Sequence, residues 1–198
     1  MVTICLLRHG ETSFNADGNR YCGRTDVELT AKGISQAKKM YELLEEYCFD
    51  AVYSSSLQRA RKTAEIASGN AKKVLVDDRL IEVDFGEWEG LRPDEFQTKD
   101  PESWANWMAA PERFAAGRTG ETAMQVISRL QSFYDDLIER YSGKTVLVIG
   151  HNGVNRLFLA SQLGMPLKNY RRLVQENSAL TLLTLSQHQG CQLLKLNA

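Results

Sequence analysis

Two short segments at opposite ends of the chain are apolar at nearly every position. They are residues 3–7 and residues 145–149. A strand with one face in water alternates polar and apolar residues, whereas a continuous apolar run is typical of a strand covered on both faces. Such strands occur mainly in parallel sheets with helices packed on each side. These two segments therefore predict the interior of an α/β fold.

Helical and strand patterns alternate along the rest of the chain. Thr30 is placed to cap a helix whose apolar face is predicted as Ile34, Ala37, Tyr41 and Leu44. The longest helix is predicted over residues 120–142, with Ile127, Leu130, Tyr134, Leu137 and Tyr141 along one face. Further predicted elements are helices over 56–68 and 154–163, strands over 51–54 and 74–76, and a terminal hairpin over 180–185 and 192–196.

This alternation predicts a three-layer α/β/α sandwich with a mostly parallel sheet, formed as one domain by residues 1–198. The interval 87–118 interrupts it, because it holds all three tryptophans and three of the four prolines. We interpret the interval as a helical excursion that covers one end of the sheet, or as a lid-like insertion that shapes a pocket. Trp104 and Trp107 are expected in the core, with stacking on a ligand as the alternative.

Composition argues against several classes of partner. The 24 basic and 25 acidic residues give a formal net charge of −1, whereas nucleic-acid binders usually carry a basic excess. The chain has no stretch as long as a membrane span. Neither nucleic acid nor membrane is expected as a partner, and a homodimer is left open.

The four cysteines are widely spaced, at Cys5, Cys22, Cys48 and Cys191. They contain no CxxC pair, so neither a zinc site nor a redox motif is indicated, and Cys5 is expected to be a buried thiol. The amino-terminal segment lacks the basic start of a signal peptide. A cytoplasmic location is expected.

Two of the three histidines follow the two apolar strands directly. His9 comes after residues 3–7 and His151 after residues 145–149, each with a glycine within two positions. Ligands of parallel α/β sheets bind beyond the carboxyl ends of the strands. If the two strands are neighbours, these histidines lie together at a ligand site. The third, His188, is expected on the surface.

Arginines accompany these strand exits. Arg8 precedes His9, and Arg59 lies in the first turn of the predicted helix that follows residues 51–54. Guanidinium groups form short, charge-assisted hydrogen bonds with phosphate, and a helix start also favours an anion. The pattern therefore indicates a phosphate site.

Five segments in order resemble the histidine phosphatase superfamily, which has the phosphoglycerate-mutase-like fold. They are RHGET at 8–12 with Asn15, GRTDVELT at 23–30, SSSLQRA at 54–60, EVDFGEWEG at 82–90 and GHNG at 150–153. The set spans nearly the whole chain. The resemblance is greatest to the phosphatase branch that includes the α-ribazole phosphatases. Asn152 stands where the family often has glycine, and Cys22 where it often has a small polar residue.

The resemblance implies a metal-independent reaction with no cofactor. His9 would attack phosphorus and form a phosphohistidine, and its other ring nitrogen is expected to donate to a backbone carbonyl. Arg8, Arg59 and His151 would surround the transferring phosphoryl group. Glu82 would be the proton donor.

Asn15, Cys22, Gly23 and Asn152 would contribute to substrate binding by the same resemblance. The enzyme implied is a histidine acid-phosphatase-type phosphomonoesterase that acts on a small phosphorylated metabolite, with α-ribazole phosphate as one candidate. A phosphoglycerate mutase-type phosphotransferase and an inactive phospho-ligand binding protein are the alternatives. Arg92, Arg113 and Arg118 would meet a second anionic group of the substrate or, as we favour, lie on the surface.

Overall fold

The computed structural model describes residues 1–70 and 72–198, and a mixed sheet forms its centre. The strands are β1 (Val2–Arg8), β2 (Ala51–Ser54), β3 (Val74–Val76), β4 (Thr145–Gly150), β5 (Leu180–Ser186) and β6 (Gly190–Lys195). Their order is β3-β2-β4-β1-β5-β6. The first four are parallel, and the terminal hairpin adds β5 and β6 in antiparallel register. The predicted mostly parallel sheet is confirmed.

Helices cover both faces of this sheet. They are α1 (Ser13–Ala16), α2 (Ala31–Leu44), α3 (Gln58–Ala67), α4 (Pro93–Lys99), α5 (Pro101–Ala109), α6 (Ala123–Arg140) and α7 (Asn152–Gln162). Short 3-10 helices lie at Asp78–Leu80, Gly86–Trp88 and Leu167–Arg172. Among the described residues, no helix combines the length and the apolar character needed to cross a bilayer.

Alternate residues of the central strands enter two separate cores. Ile4 and Leu6 of β1 pack in the core with α6 and α7, whereas Cys5 and Leu7 pack in the core with α2 and α3. Both sets are fully buried. The continuous apolar run therefore has the physical cause inferred from the sequence, because each face of the strand meets a helical layer.

Both predicted helix faces include buried residues, but each also includes one residue whose neighbour is buried more deeply. Tyr41 is 43% exposed while Met40 is buried, and Ile127 is half-buried while Val126 is fully buried. Both pairs hold adjacent apolar residues, and the 100° rotation between neighbours leaves only one of each pair facing the sheet. The sequence spacing alone could not choose between them.

Aromatic packing dominates the interval 87–118. Trp88, Phe96 and Trp107 are at most 2% exposed, and they belong to the same core as α6 and α7. Trp88 stacks on Phe96 with ring centroids 4.9 Å apart, and Trp104 packs edge-on against Trp88. The core-packing role expected for Trp107 is confirmed.

The loop after β1 crosses the first turn of α2 at backbone contact distance. A Cβ on Gly10 would lie 2.5 Å from the carbonyl oxygen of Gly33, and a Cβ on Gly33 would lie 2.1 Å from the carbonyl oxygen of Glu11. Both are closer than any unstrained contact. Glycine at both positions thus lets α2 pack directly against the segment that carries His9.

We predict that Gly33→Ala destabilises the protein, although the same change in an open helix stabilises by about 1 kcal/mol. The new methyl group meets backbone that cannot move aside, so the free energy of unfolding should fall by about 1 to 3 kcal/mol. Urea denaturation measures the change. Ser35→Ala, on the exposed side of the same helix, is the control and should stay within about 0.5 kcal/mol of wild type. A stabilised Gly33→Ala protein would contradict the contact.

Candidate active site

A cavity of about 500 Å³ opens at the carboxyl ends of β1 and β4. Six of the nine residues predicted for the site line it: Arg8, His9, Asn15, Cys22, Glu82 and Asn152. Arg59 and His151 are fully buried directly behind this wall, and Gly23 is hydrogen-bonded to Arg59. The structure brings all nine together at the position expected for a ligand of a parallel sheet.

The pairing of β1 with β4 places the two histidines side by side. Arg8 is in register with Gly150, and the His9 backbone N–H donates to the Gly150 carbonyl at 3.1 Å. The ring centroids of His9 and His151 lie 5.1 Å apart. Two residues separated by more than 140 positions in sequence therefore share one edge of the sheet.

The tautomer of His9 follows from its hydrogen bond. Its Nδ1 lies 2.7 Å from the carbonyl oxygen of Gly10. Because a carbonyl oxygen can only accept, Nδ1 carries the proton in the neutral ring and Nε2 keeps a free lone pair. The hydrogen bond expected from the sequence is present, and the nitrogen it leaves free is a potential nucleophile.

His151 has the opposite tautomer. Arg59 donates from Nε to Nδ1 of His151 at 3.3 Å, so Nδ1 is the acceptor and Nε2 carries the proton in the neutral ring. This Nε2 is buried and makes no hydrogen bond within the described residues. His9 thus presents a lone pair, and its neighbour presents a donor.

Burial and positive charge keep both rings neutral. Desolvation lowers the pKa of His9 well below 6.5, and the nearby charges of Arg59 and Arg8 lower it further. The pKa of His151 is lowered well below 6.5 by the same burial, then by Arg59 and by His9. A neutral His9 retains its lone pair into the acidic range.

The two arginines are held mainly by backbone oxygens. Arg8 donates from Nη1 to the Gln175 carbonyl at 3.0 Å, and its Nε makes no hydrogen bond among the residues described. Arg59 donates to the carbonyls of Thr25 and Gly23, both at 2.8 Å. Burial is the main cause that lowers the pKa of Arg8 to about 10, which leaves it charged at neutral pH. Two fixed cations therefore lie where the sequence predicts a phosphate site.

Backbone amides hold the Glu82 carboxylate. Oε1 accepts from the N–H groups of Val83 at 2.9 Å and Val154 at 3.0 Å, and Oε2 accepts from Gly153 at 3.1 Å. A Cβ at position 153 would lie 2.7 Å from Oε1, so glycine is needed for this approach. Glu82 thus supplies the hydrogen-bond acceptor that the first turn of α7 requires.

This contact accounts for where the helix begins. The helix predicted over 154–163 is present, but it begins two residues earlier, at Asn152, which makes His151 its N-cap. Gly153 therefore lies in the first helical turn, where its N–H group and that of Val154 donate to the Glu82 carboxylate.

Asn15 and Asn152 orient their amide groups by local hydrogen bonds. The Oδ1 of Asn15 accepts from the backbone N–H of Thr12 at 3.1 Å, within a capping box. The Oδ1 of Asn152 accepts from Nη1 of Arg156 at 3.3 Å. Cys22 has a buried thiol whose pKa is raised by burial. All three residues line the cavity, and their contribution to substrate binding stays a prediction.

Thr63 and Asn177 are supporting residues that were not singled out from the sequence. Thr63 accepts from the Gly10 N–H at 3.0 Å and donates to the Arg59 carbonyl at 2.8 Å. Asn177 donates from Nδ2 to the carbonyl of His9 at 3.0 Å. Thr63 could have been found, because it lies four residues after Arg59 on the same helix face, whereas Asn177 lies in a loop with no periodic pattern.

A buried polar chain supports Arg8 from behind. Asn155 donates from Nδ2 to the Leu7 carbonyl at 3.2 Å and to Oε1 of Gln175 at 3.0 Å. Gln175 donates in turn to Thr181 at 3.1 Å. The carbonyl that holds Arg8 belongs to this same Gln175, so the chain fixes the position of the guanidinium.

Glu89 ties the turn around Gly23 to the loop after Glu82. Its Oε1 accepts from the Arg24 N–H at 2.8 Å, and its Oε2 accepts from the N–H of Thr25 at 3.1 Å. A Cβ on Gly23 would overlap this carboxylate. Since Gly23 and Thr25 hold Arg59, Glu89 positions that arginine indirectly.

The three arginines considered for a second anionic group lie elsewhere. Arg92 pairs with Asp17, Arg118 pairs with Asp100, and Arg113 lies over the ring of Phe114. None of residues 87–118, all of which the structure describes, lines the cavity. The surface role favoured for these arginines is confirmed, and the lid-like role of the interval in shaping a pocket stays a prediction.

Comparisons with known proteins agree with this geometry. The sequence model of the histidine phosphatase superfamily (branch 1) matches residues 4–198. Phosphoserine phosphatase 1 of Hydrogenobacter thermophilus is 32% identical over 100% of this chain and 92% of its own length. Adenosylcobalamin/alpha-ribazole phosphatase of Escherichia coli is 35% identical over 82% of this chain and 80% of its own. A phosphoserine phosphatase of Entamoeba histolytica, solved with 3-phosphoglyceric acid, has a TM-score of 0.90 at 27% identity over 100% of this chain and 98% of that one.

We predict that stability falls with pH below 6.5 because His9 and His151 are buried as neutral rings. The unfolded chain takes up a proton on each histidine near pH 6.5 and the folded chain does not. Stability is therefore full above pH 6.5 and declines as the pH falls towards the lowered pKa values. Two histidines give a slope approaching about 2.7 kcal/mol per pH unit.

Urea denaturation in phosphate-free buffer between pH 7.5 and about pH 5 measures this slope. His9→Asn should roughly halve this slope, because unfolding of the variant is coupled to the uptake of one proton instead of two. His188→Gln, at the exposed tip of the terminal hairpin, is the control and should leave the slope as it is. A flat stability profile over this range would contradict neutral burial of the two rings.

Proposed function

We propose that this protein hydrolyses phosphomonoesters through a phosphohistidine on His9. The chain belongs to the histidine phosphatase superfamily (branch 1) and is a phosphatase of small phosphorylated metabolites. One observation carries this proposal. His9 and Arg8 line the cavity, and the ring of His151 lies behind them, 5.1 Å from the His9 ring; the Nε2 of His9 keeps a free lone pair, and the donors Arg8 Nε and His151 Nε2 have no partner among the described residues. A nucleophile and donors to the phosphoryl oxygens are thus assembled together.

In the first step, the Nε2 lone pair of His9 attacks phosphorus, and the bond to the leaving oxygen breaks. Arg8 and His151 are proposed to donate to the equatorial phosphoryl oxygens, on which charge is spread in the transition state. These donors are fixed by Gln175 and Arg59 before substrate arrives. Their preorganisation reduces the rearrangement needed during the reaction, and metal independence is proposed because guanidinium groups supply the positive charge.

Glu82 is proposed to give a proton to the leaving oxygen and to take one from water in the second step. Its Oε1 already accepts two N–H groups, whereas Oε2 accepts one. A carboxylate oxygen has two lone pairs in its plane, so Oε2 is the oxygen with capacity for a proton. Attack by the activated water breaks the P–N bond and returns the lone pair to Nε2 of His9.

Hydrolysis is favoured over transfer to a second substrate. The relatives described above are named as phosphatases, and a mutase would have to protect its phosphohistidine from water. The nucleophile and proton donor also argue against a protein that only binds phosphorylated ligands, since binding requires neither. α-Ribazole phosphate is one substrate to screen, and the finer description as a histidine acid-phosphatase-type enzyme belongs to this proposal.

We predict that His9→Ala lowers kcat by at least about a thousandfold, because the attacking lone pair is lost. Release of inorganic phosphate from a panel of phosphorylated metabolites, with chelator present, measures the activity. Rapid acid-free quenching of the wild type with labelled substrate should trap an acid-labile phosphate on His9. Gln36→Ala, at the cavity rim, is the control for general disturbance and should retain most of the activity. Equal turnover by wild type and His9→Ala would overturn the mechanism, as would strict dependence on an added metal.

Glu82→Gln should discriminate between leaving groups. An alkoxide must be protonated as it leaves, so kcat for alkyl phosphates is expected to fall about 100- to 10,000-fold. 4-Nitrophenolate leaves without a proton, so phosphorylation by 4-nitrophenyl phosphate should be largely preserved and the phosphoenzyme should accumulate as a burst. Equal loss of the burst and of alkyl phosphate turnover would show that Glu82 is not the proton donor.

A further inference from the structure

The charged residues of the cavity lining outside the candidate catalytic group, which we call the outer wall, are Glu11, Arg20, Lys32, Arg156, Arg171 and Glu176. Two of these arginines have no acidic partner among the residues that the structure describes. Arg156 and Arg171 both line the cavity, both are half-buried, and neither forms a salt bridge within residues 1–70 and 72–198. Arginines are seldom removed from water without a partner. This pair therefore has unused capacity to bind an anion.

The other charged side chains of the outer wall behave differently. Arg20 pairs with Asp17 at 2.5 Å, and Lys32 pairs with Glu11 at 2.7 Å. Glu176 is exposed to solvent, where its charge is screened. The unpaired state is thus specific to Arg156 and Arg171 among these outer cations.

Neutral groups hold Arg171 in place. It donates from Nε to the hydroxyl of Tyr170 at 3.3 Å and from Nη2 to the hydroxyl of Tyr21. Its guanidinium plane lies over the ring of Trp104, 4.5 Å from the centroid. These contacts fix the group in position, and Nη1 donates to no atom of the described chain. A fixed guanidinium with a free edge is suited to bind a planar anion.

Arg156 is held in a similar way from α7. It donates from Nε to the Tyr170 carbonyl and from Nη1 to Oδ1 of Asn152, both at 3.3 Å. Its Nη2 makes no hydrogen bond to a described residue. Burial lowers the pKa of Arg156, and repulsion by Arg171 lowers it further. An anion between the two guanidinium groups would relieve this repulsion.

The charges that remain after the paired Arg20 and Lys32 and the exposed Glu176 are set aside limit what that anion is. Four arginines at the site, Arg8, Arg59, Arg156 and Arg171, stand against Glu82, which is the one buried carboxylate among the described residues that line the cavity. Four positive charges and one negative charge leave an excess of three. A phosphomonoester dianion neutralises two of these, and one further negative charge completes the balance.

We propose that Arg156 and Arg171 form a carboxylate subsite, so that the preferred substrates are phosphomonoesters that also carry a carboxylate. This inference rests on the proposed function for the position of the phosphate. A second phosphate would exceed the remaining charge, and a substrate such as α-ribazole phosphate, neutral outside its phosphate, would leave both arginines unpaired. These two arginines differ from Arg92, Arg113 and Arg118, which the sequence suggested as candidates for binding a second anionic group.

Matched substrates isolate the carboxylate. 3-Phosphoglycerate and glycerol 3-phosphate differ by a carboxylate in place of a hydroxymethyl group, and phosphoserine and phosphoethanolamine differ by a carboxylate in place of hydrogen. The measured quantity is the ratio of kcat/KM within each pair. Charge-assisted hydrogen bonds predict a ratio of about 10 to 100 in favour of the carboxylate in at least one pair. Ratios near one in both pairs overturn the proposal.

Variants assign the preference to the two arginines. Arg156→Met and Arg171→Met should each lower the wild-type ratio by about tenfold or more, and Arg171→Lys should recover part of it. Arg20→Met is the matched control, because Arg20 lies on the same wall but is already paired, and its ratio should match the wild type. If no change at Arg156 or Arg171 alters the ratio, or if Arg20→Met alters it equally, the assignment is overturned.

Fructose 1,6-bisphosphate and fructose 6-phosphate form a third pair. A preference for the second phosphate that exceeds the preference for a carboxylate would overturn the carboxylate assignment.

Binding to the His9→Ala protein separates this proposal from the mechanism. Calorimetry should show tighter binding of 3-phosphoglycerate than of glycerol 3-phosphate by about tenfold, and Arg171→Met in the same background should remove the difference. This result supports the subsite even if the wild-type protein does not hydrolyse its substrates through a phosphohistidine on His9. Equal binding of the two ligands counts against the subsite even if the phosphohistidine is found.

Discussion

The parallel pairing of β1 with β4 is the contact on which the site depends. It sets Arg8 beside Gly150, and the two histidines that follow these strands come within 5.1 Å of each other. Neither ring is positioned by its immediate sequence neighbours alone. The pairing is stable because both strands are buried on each face by helices, so the packing of two separate cores determines the distance between two reactive side chains.

The same packing determines the protonation of the site. Two imidazole rings, two arginines and a carboxylate share a region with little water, where an unpaired charge is costly. The structure avoids part of that cost by keeping the rings neutral and by giving Arg8, Arg59 and Glu82 backbone partners. Backbone groups are suited to this use because they carry partial charges, cannot titrate and are fixed by the fold. Arg8 Nε and His151 Nε2 are the donors of this group that stay without a partner among the described residues.

Much of this arrangement could be predicted from the chain. The continuous apolar runs identified β1 and β4, and the strand-exit rule identified the side of the sheet on which His9 and His151 lie. The order of the five motif segments connected Glu82 to them. The apolar runs and the motif segments are local signals, and the position of the two histidines follows from a general rule about strand ends.

Other features depend on contacts that leave no local signal. The start of α7 at Asn152 reflects a carboxylate from a loop 70 residues earlier, and Gln175 holds Arg8 through its backbone carbonyl, which no residue type signals. The absence of an acidic partner for Arg156 within residues 1–70 and 72–198 is likewise a property of three-dimensional neighbours. Tyr41 and Met40 show the same limit within one helix, where the spacing identified the buried face but not which of two adjacent apolar residues belongs to it.

The stacking of Arg171 on Trp104 has a consequence for how such enzymes diverge. Trp104 belongs to α5, in an interval that supplies no atom to the cavity wall. A change in that interval would tilt or release the guanidinium and so alter which metabolites are accepted. Natural selection for a new substrate can therefore act on residues that never meet it, while the reacting groups stay as they are.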